Sequence, residues 1–277
     1  MKKFETIKIE RQDGIAWLYF NRPEKRNSMS PTLNREMLAA LDDIESDGVS
    51  QVLVLTGVGD SFSAGMDLKE YFREIDGKPS HVQSEVRRIA GGWQYHRLRS
   101  FPLPTIAMVN GWCFGGAFTP LVSCDIAVAA DDAKFGLSEV NWGILPSGLV
   151  TRDVSAVMSY RNALFYILTG RPFDGRKAAE MGLVTLSVPA SQLRAEVVSI
   201  ANELRGKSPE TLRTCKEAFK VSLQMSWEEA QDYLYAKLEQ MQFRDKGRSR
   251  EQGLKQFLDE KTYKPGLGAF DRSKQSA

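Results

Sequence analysis

The run TIAMV (Thr105–Val109) leads directly into NGWCFGGAF (Asn110–Phe118). A short segment that is apolar at nearly every position reads as a strand buried on both faces. The paired glycines that follow open a helix expected to extend to about Ser123. QVLVL (51–55) repeats the pattern and is followed by a small-residue loop, Thr56 to Gly65. Ile126 to Ala129 is a third strand of this kind. Buried strands alternating with helices define an α/β fold with a largely parallel sheet.

Working outward, residues 5 to 11 and 14 to 20 read as a hairpin turning at Asp13-Gly14. Ser30-Pro31 supplies an N-cap and a proline at the first helical position. Leu33, Met37, Leu38, Leu41 and Ile44 then follow at helical spacing. Residues 67–76, 80–100, 160–168 and 175–181 also read as helical, and 185–188 as a strand. From Gln192 to about Lys261 the pattern is almost entirely helical. The chain is therefore expected to have an α/β core over 1–190 and a helical region over 191–277.

The 277 residues carry 37 Lys+Arg against 35 Asp+Glu, a net charge of +2, so no strong overall field favours nucleic acid or a membrane surface. Hydrophobic residues make up 42%, which excludes a disordered chain. Cys113, Cys124 and Cys215 form no CxxC pair, and His81 and His96 lie in a charged helical stretch. Neither a disulfide framework nor a metal site is expected. MKKFETIKIE has no apolar core after its lysines, so it does not read as a secretory signal. The expectation is a soluble, cytoplasmic protein.

Three segments carry chemistry. In SFSAGMDL (61–68) small residues let backbone approach a ligand, although on this segment alone a plain strand-to-helix turn capped by Asp67 is the commoner reading. In NGWCFGGAF the glycines expose backbone N–H groups, the raw material of an oxyanion hole; close helix–strand packing is the bland alternative. In FGLSEVNWGILP (135–146) Glu139 stands among apolar and small residues, which suits it to proton transfer near neutral pH.

In this order and spacing the three segments resemble the crotonase (enoyl-CoA hydratase/isomerase) superfamily, from NRPEKRNSMS to EQGLKQFLDEK. The resemblance implies a spiral of ββα units followed by a C-terminal helical trimerisation region. It also implies an acyl-CoA substrate, no cofactor beyond the coenzyme A of the substrate, and a homotrimer or dimer of trimers. The family's oxyanion donors map to the N–H groups of Met66 and Gly116. Its coenzyme A passes the segments that hold Lys25, Arg26, Ala64, Asp67 and Leu68.

The stretches NRPEKRNSMSPTLNREM, AGMDLKEYFRE, PTIAMVNGWCFGG, FGLSEVNWGI, DYLYAKL and REQGLKQFLDEK are most similar to the hydroxycinnamoyl-CoA hydratase-lyases. That family hydrates 4-hydroxycinnamoyl-CoA thioesters such as feruloyl-CoA and cleaves them to an aromatic aldehyde and acetyl-CoA. The resemblance makes Glu139 the acid/base and Tyr71 and Tyr235 ligands of the phenol, with Trp142 in the substrate site. Thr119 stands where two-glutamate hydratases have a glutamate and hydratase-lyases a serine; it keeps a hydroxyl and is a catalytic candidate for binding the water or product oxygen. Ala117 and the loop Ile144 to Gly148 also depart from the family pattern. Hydration or isomerisation without cleavage, and a non-catalytic RNA-binding role, stay open on the sequence.

Overall fold

Val52–Gly57 is buried at every position because it lies inside a six-stranded sheet. The computed structural model describes residues 3–264 and 268–274. Its strands are β1 (Ile7–Gln12), β2 (Ile15–Phe20), β3 (Val52–Gly57), β4 (Ser61–Ser63), β5 (Thr105–Val109), β6 (Trp112–Phe114), β7 (Ile126–Ala130), β8 (Lys134–Gly136), β9 (Phe173–Asp174) and β10 (Leu186–Val188). The larger sheet has the order β1-β2-β3-β5-β7-β10 and the smaller one β4-β6-β8-β9. Chain order explains both. β3, β5 and β7 are each followed within a few residues by a short strand of the second sheet, so each turn of the spiral adds one strand to each sheet. The registers are parallel at every step: Val54 with Ile106, Ile106 with Ile126, Ser61 with Trp112, and Cys113 with Phe135.

Local chemistry sets the ends of the elements. Asp13 (φ 51°) and Gly14 (φ 72°) both adopt the left-handed conformation that a two-residue hairpin demands, and Gln12 faces Ile15. The Ser30 hydroxyl accepts from Leu33 N, with Pro31 opening the helix Pro31–Glu45. Aromatic rings pack the core. Phe135 stacks on Phe173 at 5.5 Å and meets Phe118 edge-on at 6.3 Å, and Phe20 meets Phe62 at 5.4 Å.

The expected strands and helices are present, with three differences. The second sheet was not foreseen, because strands of two or three residues leave no periodicity to read. The helical stretches at 67–76 and 80–100 each contain a widened π-type turn, at Leu68–Arg73 and Gly92–Arg97. Helix Val150–Val157 follows a Pro/Gly-rich loop and lacks a capping side chain to announce it.

The chain divides into two units, residues 1–101 with 105–198, and residues 102–104 with 199–277. Helices Pro209–Ser222 and Trp227–Arg244 pack together in the second unit, where Lys237 Nζ reaches Glu217 Oε1 at 2.6 Å. Trp227 and Phe243 of the same unit are 91% and 90% exposed. No described helix is long and apolar enough to cross a membrane.

One buried cluster ties the end of β2 to the loop after β4. Arg22 donates from Nη1 to Ser28 O at 2.8 Å and to Asp67 Oδ2 at 3.1 Å, and from Nη2 to Glu70 Oε1 at 2.6 Å. Asp67 also accepts from Ser28 Oγ (3.1 Å), Lys69 N (3.0 Å) and Glu70 N (2.8 Å). Burial opposes ionisation of Asp67, but the Glu70 amide, the Ser28 hydroxyl and the Arg22 charge outweigh it and hold its carboxyl below the usual range. Removing one partner of a buried pair leaves the other charge uncompensated. Arg22→Leu is expected to cost about 3 kcal/mol in urea unfolding, and Asp67→Asn added to it to recover part of that loss.

Candidate active site

The small sheet delivers the site. β4, β6 and β8 lie side by side and parallel, and each ends in a loop that carries one expected group: Met66 after β4, Gly116 after β6 and Glu139 after β8. Ligands of α/β proteins gather at this carboxyl edge, where loops from adjacent strands converge.

After β4 the chain bridges to the N-terminal loop. Met29 N donates to Gly65 O at 2.8 Å and Asp67 N donates to Met29 O at 3.0 Å. Bridging uses the groups on one side of Met66, so its own N–H faces away, toward Gly116. A Cβ added to Gly116 would stand 3.4 Å from Met66 N and only 2.9 Å from Met66 Cγ. One added to Gly65, at φ +89°, would stand 3.0 Å from Gly116 N. Glycine at both positions thus brings the two backbones together. Gly116 is the second residue of the turn Gly115–Ala117, where an N–H has no acceptor within its own helix. Two N–H donors therefore converge on one spot, the geometry that stabilises a developing oxyanion.

Glu139 opens the turn Glu139–Trp142 and projects toward the same spot. A Cβ on Gly115 would lie 3.2 Å from Glu139 Oε1, and Oε2 is buried without a hydrogen-bond partner. Burial pushes the carboxyl up from its ordinary value, only partly offset by its own backbone N–H. The cavity in front of these groups has a volume of about 260 Å³. Phe72, Phe114, Leu145 and Val150 make most of its wall apolar.

Of the residues singled out from sequence, Met66, Gly116, Glu139, Trp142, Ala64, Leu68 and Arg26 line this cavity. Trp142 is 66% exposed, and the Arg26 guanidinium lies 4.4 Å from the Trp112 ring centre. Lys25 and Asp67 are committed elsewhere: Lys25 hydrogen-bonds Glu70, and Asp67 is buried with Arg22. Tyr71 is not on the wall; its ring packs edge-on against Phe72, and burial raises its phenol above the ordinary value despite the Arg87 charge. Thr119 is buried one helical turn after Gly116. Tyr235 belongs to the second unit, on helix Trp227–Arg244, and is 63% exposed.

Sequence reading passed over Phe72, Trp112 and Phe114 as wall residues. Trp112 and Phe114 share one face of β6 by simple alternation, a signal available only once that strand is recognised. Phe72 lies four residues after Leu68 in the same helical segment.

The pattern described as enoyl-CoA hydratase/isomerase matches residues 10–265. The chain is 54% identical over 270 residues to a hydroxycinnamoyl-CoA hydratase-lyase of Pseudomonas fluorescens, covering 98% of each chain. It is 36% identical to a mevalonyl-coenzyme A hydratase of Aspergillus fumigatus, covering 81% of this chain and 83% of that one. The crystal structure of an enoyl-CoA hydratase from Bacillus anthracis superimposes with a TM-score of 0.83 at 27% identity, covering 91% of this chain and 96% of that one. Family match, relatives and spiral fold agree: the chain belongs to the enoyl-CoA hydratase/isomerase family, the crotonase superfamily.

Proposed function

We propose that this protein hydrates 4-hydroxycinnamoyl-CoA thioesters such as feruloyl-CoA and cleaves the product to an aromatic aldehyde and acetyl-CoA. The observation that carries this reading is the half-buried carboxyl of Glu139, its Oε2 enclosed without a partner, facing the N–H groups of Met66 and Gly116 across an apolar cavity. Near-full-length identity to the Pseudomonas hydratase-lyase supports the choice of reaction within the family.

The chemistry follows from the groups. Glu139 takes a proton from water as the water oxygen adds to the β-carbon. The electrons of the double bond move to the thioester oxygen, held by the N–H groups of Met66 and Gly116. Glu139 returns the proton to the α-carbon. In the second stage the β-hydroxyl loses its proton, its electrons form the aldehyde carbonyl, and the bond between the α- and β-carbons breaks. The released electron pair enters the same oxyanion hole as the enolate of acetyl-CoA, which is then protonated on carbon. The sum is addition of water followed by carbon–carbon cleavage, with no net oxidation, so it balances without a redox cofactor. Coenzyme A enters as part of the substrate.

Arg26, Ala64 and Leu68 border the cavity where the thioester chain would enter. We assign Tyr71 and Tyr235 to recognition of the para-hydroxyl, with Tyr235 contributed by its own or a neighbouring subunit. The exposed Trp227 and Phe243 support association through the helical region as a trimer or dimer of trimers.

The deciding experiment is incubation with feruloyl-CoA and no added cofactor, followed by mass analysis of the products. Vanillin and acetyl-CoA in equal amounts are expected; accumulation of the hydrated thioester alone would leave a hydratase, and no turnover would sink the reading. Glu139→Gln is expected to lower kcat by ~10²–10⁴ with little change in Tm. Glu139 must be ionised to accept the proton, and burial raises its pKa. Wild-type kcat/KM is therefore expected to fall on the acid side at a pH above the ordinary glutamate range. Gly116→Val drives a side chain into the oxyanion hole and is expected to cost ~10²–10³ in kcat.

A further inference from the structure

Asp153 is a buried carboxyl that the chemistry above does not use. It sits on helix Val150–Val157, is 5% exposed, and its Oδ2 has no hydrogen-bond partner. The Thr119 hydroxyl, on the adjoining helix Phe118–Ser123, lies near enough to pull its pKa down. Each follows a residue of the cavity wall by three positions along its chain segment, Thr119 after Gly116 and Asp153 after Val150. Helical side chains lean back toward the N-terminal turn. Thr119 and Asp153 therefore lean toward the turns that form the wall.

A hydroxyl has one proton and two lone pairs. A carboxylate can only accept, so an ionised Asp153 takes the Thr119 proton and leaves the Thr119 oxygen with acceptor capacity alone. We propose that Asp153 is a positioning residue that fixes the Thr119 hydroxyl as an acceptor, so that Thr119 holds the β-hydroxyl of the hydrated thioester by its proton and presents it for carbon–carbon cleavage. This rests on the hydratase-lyase reading. Protonation of Asp153 reverses the hydrogen bond: the acid donates to Thr119, whose freed proton then turns outward and donates to the substrate oxygen in place of holding the β-hydroxyl by its proton.

Burial shifts Asp153 up to about 6, against the Thr119 hydrogen bond and the charges of Arg99 and Arg152, which pull it down. Its folded value thus lies above the unfolded 3.8, so the native state favours the protonated form. That stability is fully present below pH 3.8 and is lost as pH rises through about 6. An ionised Asp153 strains the fold in the range where the enzyme would use it.

The test is cleavage of the preformed β-hydroxy thioester, followed by aldehyde release across pH, with wild type, Asp153→Asn, Thr119→Val, Thr119→Ser and the Asp153→Asn/Thr119→Val double variant. Asp153→Asn is expected to lower the kcat plateau about tenfold, the difference between a charged and a neutral hydrogen-bond acceptor. It is also expected to reduce the acid limb from two protons to one, the remaining one belonging to Glu139. Thr119→Ser keeps the wild-type profile, and Asp153→Asn has no further effect once Thr119 is Val. Asp153→Asn also raises Tm at pH 8, with the gain closing toward pH 4. A wild-type plateau and limb in Asp153→Asn would overturn the proposal, as would losses that multiply in the double variant. Absence of aldehyde from the wild type would instead defeat the hydratase-lyase reading itself.

Discussion

The site depends first on a cation kept out of water. Arg22 lies at the end of β2, and its guanidinium is enclosed by Ser28 O, Asp67 and Glu70. Those contacts bend the N-terminal loop back so that Met29 meets the chain at Gly65 and Asp67. The bridge in turn settles which way the Met66 N–H points. Asn27 reinforces the loop: its side chain accepts from Arg22 N at 2.9 Å and donates to Ser61 O at 2.7 Å. A salt bridge of this kind adds little stability for its own sake. Here it fixes the direction of a backbone N–H in a small-residue loop.

With these N–H groups fixed, the proposed chemistry still requires a base whose pKa is raised. The structure meets it by leaving Glu139 poorly solvated rather than by pairing it. The two carboxylates, Asp67 and Glu139, show the same side-chain chemistry under opposite treatment. One is surrounded by donors and stays charged; the other has an unpartnered oxygen beside an apolar wall and holds its proton more tightly.

Much of the architecture was legible because it is written locally. Asp13-Gly14 dictates the hairpin, Ser30-Pro31 the first long helix, and the apolar runs at 52–57 and 105–109 the central strands. The loops that bring Met66, Gly116 and Glu139 to one cavity were also legible, since glycine pairs and an isolated glutamate mark them. The small sheet was not, because β4, β6, β8 and β9 are too short to show alternation. Nor were the contacts that depend on tertiary folding. Nothing in the sequence near Asp67 says that its partner is Arg22. Nothing near Thr119 points to Asp153, whose neighbours in sequence look like an ordinary amphipathic helix.

The stacking of β4, β6 and β8 also has a kinetic side. Met66, Gly116 and Glu139 belong to three successive turns of the spiral, and the parallel pairs that align them join residues distant in sequence. Such contacts form only after long loops have closed, which makes them slow steps in folding. No fragment ending before β8 holds all three residues, so a chain emerging from the ribosome carries the loops of Met66 and Gly116 before that of Glu139 exists. The three residues stand together only when the third turn docks.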